Sequence, residues 1–152
     1  MIILKVGDKA PEFKGVNQDG KEISLKDFAG KGLILFFYPK DNTPGCTAEA
    51  CNLNESYLAL RKKGFEILGV SADSEQSHQK FKTKFSLGFD LIADTTKEIC
   101  TAYGVWGEKK NYGKVYFGIF RTTFIIDENG IILHVIEKVN TKDHTNQILE
   151  LL

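Results

Sequence analysis

Cys46 closes the run Tyr38-Pro39-Lys40-Asp41-Asn42-Thr43-Pro44-Gly45-Cys46, and Cys51 follows five residues later. Two thiols this close suggest chemistry in which one sulfur reacts and the other resolves the product. Pro44 suits the first position of a helix, because it lacks the N–H that would be left without an acceptor there. Cys46 then falls in the first turn, where free amides and the helix dipole stabilise an anion. A thiol so placed is biased toward the nucleophilic thiolate. The residues alone leave a second reading open, in which Cys46 is a small buried packing residue, as free cysteines often are.

Spacing constrains what Cys51 can do. Five residues along an intact helix separate two α-carbons by roughly 8–9 Å and turn their side chains to different faces. A disulfide needs α-carbons within about 7 Å. If both cysteines lie on one helix, they bond only after it unwinds locally. This differs from a Cys-x-x-Cys dithiol, which closes without unwinding, and Cys51 reads equally well as a helix-face packing residue. Cys100 follows Ile99 in a predicted helix and reads as a buried inert thiol. His78, His134 and His144 stand apart, and none makes a metal-ligand spacing with a cysteine. There is no Gly-rich phosphate loop, Cys-x-x-Cys zinc pair or G-x-S-x-G elbow, so no metal or cofactor is expected.

The elements that must position Cys46 are legible around it. Residues 32–38 form a continuous apolar run ended by Pro39, as in a strand buried on both faces. Residues 47–62 carry Leu53, Tyr57 and Leu60 at helical intervals, with Gly64 placed to end that helix. A second buried strand is expected at 65–70. Asp73 with Gln76 predicts a capping box opening a helix toward Phe85. Leu91-Ile92 is a short strand, and Thr95 with Glu98 predicts a second cap and a helix through Tyr103. Residues 104–118, rich in glycine and aromatics, read as an irregular loop that Trp106 packs, a place at the pocket rim being the other reading.

Asp19-Gly20 and Asn129-Gly130 signal hairpins, the first between 12–17 and 21–25 and the second between 122–126 and 131–139. Residues 143–152 suggest a last short helix. Strands alternating with helices, followed by an antiparallel pair, predict an α/β fold whose mixed central sheet carries helices on both faces.

The chain has 152 residues, which predicts one domain over 1–152 with room for a substantial core. Its 20 basic and 20 acidic residues cancel, giving no pull toward nucleic acid or an anionic membrane. The longest apolar run is far below the roughly 20 residues that span a bilayer. The apolar stretch after Met1 is too short for a signal peptide. An odd number of cysteines and no export signal make a reducing cytoplasm the expected compartment.

Pro39-x-x-x-Thr43-x-x-Cys46 resembles the active-site motif of the peroxiredoxins. The longer run through Thr47-Ala48-Glu49, with Cys51 behind it, is similar to the bacterioferritin-comigratory-protein (PrxQ) branch. The likeness extends to Val6-Gly7-Asp8-Lys9-Ala10-Pro11-Glu12-Phe13, to Gly69-Val70-Ser71-Ala72-Asp73 and to Arg121-Thr122-Thr123-Phe124-Ile125-Ile126-Asp127. The resemblance implies a thioredoxin-like fold and a thiol-dependent peroxidase acting on hydrogen peroxide and organic hydroperoxides. Cys46 would attack the O–O bond and become a sulfenic acid, with Thr43 orienting the peroxide and Pro39 shielding the thiolate. Arg121 would stabilise the thiolate and the charge developing on oxygen. Tyr38, Pro44, Gly45 and Glu49 would shape the pocket, Glu49 either as a partner that orients Arg121 or, equally, as an exposed helix carboxylate. Cys51 matches the resolving position of the branch, implying a Cys46–Cys51 disulfide reduced by thioredoxin or a similar dithiol; members of the branch differ in whether and where they carry that cysteine, which leaves Cys100 as the other reading. Members of the branch are often monomeric, so a monomer or weak dimer is the expectation.

Two other functions fit parts of the pattern. A general disulfide oxidoreductase on the same fold would reduce insulin disulfides, although its Cys-x-x-Cys is missing. A redox switch or chaperone-like binding module would bind partners on oxidation without turning over peroxide.

Overall fold

The computed structural model describes residues 4–152, so the opening stretch weighed above as a signal peptide lies partly outside it, at residues 1–3. In chain order, β1 (Lys14–Val16) and β2 (Glu22–Ser24) form a hairpin about Asp19-Gly20, and a 3-10 turn (Leu25–Phe28) leads to β3 (Gly32–Phe37). There follow α1 (Pro44–Glu55), α2 (Tyr57–Lys62), β4 (Phe65–Ser71), α3 (Glu75–Phe85), β5 (Asp90–Ala93) and α4 (Glu98–Ala102). The chain ends with β6 (Trp106–Asn111), β7 (Lys114–Ile119), β8 (Thr122–Ile126), β9 (Ile132–Ile136) and α5 (His144–Leu149).

β3 is buried at every position and lies at the centre of a five-stranded sheet of order β5-β4-β3-β8-β9. It runs parallel to β4 and antiparallel to β8, which makes the sheet mixed. Successive strand residues point to opposite faces, so the apolar run feeds two cores. Leu33, Leu35 and Phe37 pack with Phe13, Ile23, Ile99 and Tyr103, from the N-terminal segment and α4. Ile34, Phe36 and Tyr38 pack with Ala50, Leu60, Phe81 and Ile148, from α1, α2, α3 and α5. Burying each large side chain stabilises the fold by about 1.5–3 kcal/mol, so this strand anchors both layers. The expected thioredoxin-like α/β fold, with helices on both faces, is the fold observed. Among the described residues, no helix is long and apolar enough to cross a membrane.

Several local expectations are corrected. Residues 104–118 are largely the β6–β7 hairpin, turning at Tyr112 and Gly113, which both have positive φ (52° and 77°). That is the backbone of a tight hairpin turn, but tyrosine is an unusual residue for it. The exposed tip also lacks the alternation of a half-buried strand. The helix starts at Pro44, as that residue's missing N–H predicts, ahead of the apolar pattern read over 47–62, and it divides at Ser56 into α1 and α2. The cap of α3 is Ser74, whose side chain accepts from the Ser77 amide, whereas Asp73 is drawn into the neighbouring loop network. Ahead of α4, Asp94 rather than Thr95 accepts the amides of Ile99 and Cys100.

Candidate active site

Register explains how residues distant in sequence meet. Phe37, the last residue of β3, pairs with Val70 on β4 and with Thr122, the first residue of β8. Arg121 therefore enters the sheet where the chain leaves β3 for the 38–43 loop and α1. Open α/β sheets commonly carry their sites at this carboxyl end of the strands. Two hollows of about 260 and 470 Å³ lie at the other end, around Leu33 and Leu68, and include no cysteine.

Arg121 holds two partners at once. Its Nη1 donates to Glu49 Oε1 at 2.7 Å and its Nη2 to Cys46 Sγ at 3.3 Å. Burial works against the guanidinium charge, but Cys46 and Glu49 outweigh it and push the Arg121 pKa up. Cys46 is only 1% exposed, in the core layer that also contains Ala50 and Leu53. Gly45 makes room for the arginine, since a Cβ there would lie 3.2 Å from Nη2. Lys109 of β6 adds a further cation. Burial and Arg121 lower its pKa, while the nearby Cys46 opposes them.

Pro44 occupies the start of α1, and the first helical hydrogen bond runs from the Thr47 amide to the Thr43 carbonyl at 2.8 Å. The amides of Gly45 and Cys46 precede that bond and have no acceptor within the helix. Thr43 does not cap them; its hydroxyl donates to the Lys40 carbonyl at 2.8 Å. Its oxygen and two backbone donors are thus left around the mouth of the Cys46 site. Pro39 is half-buried beside this loop, and Pro44 is exposed.

Tyr38, grouped above with the pocket residues, is wholly buried and supports the loop from beneath. Its hydroxyl donates to Asp41 Oδ1 at 2.7 Å, and its pKa is raised well above the usual tyrosine value by burial and Asp41. Asp41 also takes the Ser77 hydroxyl (2.8 Å) and lies 2.7 Å from His78 Nδ1, while its amide donates to Asp73. His78 Nε2 lies 2.9 Å from the Ile92 carbonyl and so must donate to it. Asp41, Asp73 and His78 bring one ligand atom each within 4.8 Å. Those atoms are already engaged in hydrogen bonds, so the cluster fastens the loop.

Glu49 is completely buried, and burial raises its pKa to about 7 against the opposing pull of Arg121. Its second oxygen, Oε2, lacks a hydrogen-bond partner and stands 3.5 Å from His144 Nε2. Cys51, half-buried on the same helix as Cys46, has its pKa raised by burial and by Glu55. Cys100 is fully buried, and burial with Asp94 pushes its pKa far up. All three thiols are free. Trp106 packs against the core layer beside α4, with the Lys97 ammonium 5.7 Å from its ring centroid.

Of the residues named from sequence, the structure gathers Cys46, Thr43, Pro39, Gly45, Glu49 and Arg121 at one end of the sheet, with Tyr38 beneath them and Cys51 further along α1. The sequence reading missed Asp41, His78 and His144. Their partners come from other elements, and the only local signal was a pair of histidines in otherwise polar helical stretches.

Residues 6–135 match the family model of the AhpC/TSA family. The chain is 42% identical over 149 residues to peroxiredoxin Bcp of Escherichia coli K12, covering 98% of this chain and 96% of that protein. It is 42% identical over 151 residues to peroxiredoxin Bcp of Bacillus subtilis, covering 99% and 96%. A cysteine-to-serine mutant of Xylella fastidiosa PrxQ superposes with a TM-score of 0.91 at 30% identity, covering 99% and 96%. The Xanthomonas campestris bacterioferritin comigratory protein, solved in a study of its alkyl peroxide reduction activity, superposes with a TM-score of 0.85 at 36% identity, covering 91% and 88%. Sequence, fold and the thiol–arginine arrangement agree that this chain belongs to the AhpC/TSA family and, within it, to the Bcp/PrxQ peroxiredoxins.

Proposed function

We propose that this protein is a thiol-dependent peroxidase that reduces hydroperoxides at Cys46. The observation that carries this reading is Arg121, bonded at once to Cys46 Sγ and Glu49 at a helix start whose first amides have no acceptor within the helix. The sulfur of the thiolate attacks the terminal oxygen of the hydroperoxide. The S–O bond forms as the O–O bond breaks, leaving a sulfenic acid on Cys46 and an alkoxide or hydroxide that takes a proton to become alcohol or water. Charge develops on the departing oxygen, so fixed donors aimed there lower the barrier. Arg121 and the amides of Gly45 and Cys46 are those donors. Because the Thr43 proton is given to Lys40, its oxygen is free to accept the peroxide O–H and turn the terminal oxygen toward sulfur. Pro39 covers the thiolate from bulk water.

Cys51 then attacks the sulfenic sulfur, forming the disulfide and expelling hydroxide, which leaves as water. Both cysteines lie on α1, so this step requires α1 to unwind. A dithiol reductant of the thioredoxin class takes up the disulfide, its own two thiols being oxidised in exchange, and α1 reforms. Peptide mass spectrometry after one equivalent of peroxide tests the scheme. The expected products are sulfenic Cys46 at early times and a Cys46–Cys51 link later. Full peroxide turnover by Cys46→Ser, or a link made through Cys100, would overturn it.

A further inference from the structure

The peroxidase reading gives Glu49 one task, holding Arg121 through Oε1. Its other oxygen is left buried with no donor, a costly arrangement for a carboxylate. The group facing that oxygen is His144 of α5, also completely buried, whose Nε2 is 3.5 Å away. The surroundings fix one side of the imidazole. Gln147 Oε1 accepts the Asn140 amide at 2.9 Å, and Gln147 Nε2 donates to the Lys138 carbonyl at 2.7 Å, which sets the orientation of the side-chain amide. His144 Nδ1, 2.8 Å from that same Oε1, therefore carries a proton. Nε2, with the Thr123 hydroxyl at 2.8 Å, is the nitrogen free to gain or lose one.

We infer that Glu49 and His144 hold one proton between them in the reduced, folded protein, and that His144 is a positioning residue acting through Glu49 on Arg121. The inference rests on the peroxidase reading for its consequence. With the proton on either partner, the pair is neutral overall, and the positive charge of Arg121 is left to the Cys46 thiolate. With the proton gone, a carboxylate 2.7 Å from Arg121 competes for that charge and faces the Nε2 lone pair with nothing on Oε2. Burial raises the proton affinity of Glu49 and, with Arg121 and against Gln147, lowers that of His144, in agreement with a proton retained on Glu49 near neutrality. The charged group facing this pair is Arg121, ahead of β8, which also bonds Cys46 on α1; Lys109 on β6 acts on Arg121 and Cys46 in turn. Asp143, beside His144, is exposed to solvent.

The proton and the thiolate must then influence one another reciprocally. Nitrogen-15 NMR of the ring nitrogens of His144, followed from pH 5 to 9 on the reduced full-length protein, reads this directly. In the wild type, Nδ1 stays protonated while the Nε2 signal titrates. In Cys46→Ser the midpoint falls by about half a pH unit or more, because the negative sulfur no longer favours the proton. In Glu49→Gln the Nε2 step disappears. A flat Nε2 signal across the range in the wild type, or equal midpoints in wild type and Cys46→Ser, overturns the inference. As a kinetic arm, His144→Asn supplies a fixed amide donor to Oε2 and holds Glu49 as a carboxylate. It should slow oxidation of Cys46 by one equivalent of peroxide about tenfold, one unit of proton affinity. An unchanged rate overturns the link to Arg121. The titration is read on wild-type protein and stands whether or not the variant folds. A wild type that consumes no peroxide would sink the peroxidase reading and leave the shared proton testable.

Discussion

The loop ahead of Cys46 is fastened by its own side chains, whereas the helix behind it is held mainly by what neighbouring elements supply. Tyr38 and Asp41 tie the loop to Ser77 and His78 on α3 and to Asp73 after β4, and Thr43 closes it onto Lys40. Helix α1 has no side-chain cap, no acidic residue in its first turn and no basic residue in its last. It contains Gly45, Thr47, Asn52 and Asn54, which are weak helix formers. A 12-residue helix of this kind is marginal by itself. Its stability comes from burying Ala50 and Leu53, from Glu49 on Arg121, and from two asparagines that reach out. Asn52 accepts the Thr145 amide at 2.7 Å, and Asn54 accepts that of Gly88 at 2.8 Å. The division suits the proposed cycle, in which the peroxide-binding loop persists while the helix unwinds to bring Cys51 to Cys46. The break at Ser56 separates α1 from α2.

The largest expected effect removes the group that joins the two regions. Arg121→Ala should slow Cys46 oxidation by about 10²–10³-fold, the usual cost of losing a fixed donor to developing charge. Stopped-flow oxidation by one equivalent of peroxide measures it, and an unchanged rate would take Arg121 out of the site. Next, Asp41→Ala should cost about 3 kcal/mol of stability in a urea melt, because it strips partners from a buried histidine and tyrosine. It should slow peroxide reduction while leaving disulfide closure intact. A loss confined to the disulfide step would reverse the roles given to loop and helix.

Burial raises the Glu49 pKa in the folded state to about 7, above its ordinary 4.5, so the folded protein binds the proton more tightly than the unfolded chain. Its contribution to stability is full below about pH 4.5 and is lost as pH rises through about 7. Denaturant melts should show the wild type losing stability relative to Glu49→Gln between pH 5 and 8; parallel curves would contradict it. The smallest effect belongs to Asn52→Ala, which removes a tether between α1 and the start of α5. It should cost about 1 kcal/mol, leave peroxide reduction unchanged and speed formation of the Cys46–Cys51 link. Slower closure would mean that Asn52 guides the unwound state and does not restrain the folded one.

Much of this was legible in the chain wherever local chemistry and tertiary demand agree. Pro44 marked the start of α1, Pro39 the end of β3, and Asp19-Gly20 and Asn129-Gly130 their hairpins. The β6–β7 hairpin escaped because Tyr112 takes a conformation usually left to glycine or asparagine, and because its exposed tip offers no buried face to set a pattern. Asp73 looked like a helix cap because its spacing to Gln76 fits one; competition from the Asp41 amide and the Ser71 hydroxyl drew it elsewhere.

By itself, the sequence determined which thiol sits at a helix start, how far along the second one lies, and that an intact helix keeps them apart. Those are properties of covalent spacing and helical geometry. Tertiary structure alone decided which charges meet those thiols. The β3–β8 register brings Arg121 to Cys46 and Glu49, and the packing of α5 on α1 sets His144 against the open side of Glu49. Side chains separated widely along the chain acquire a mutual distance, and hence an interaction energy, only once the sheet and helices are packed.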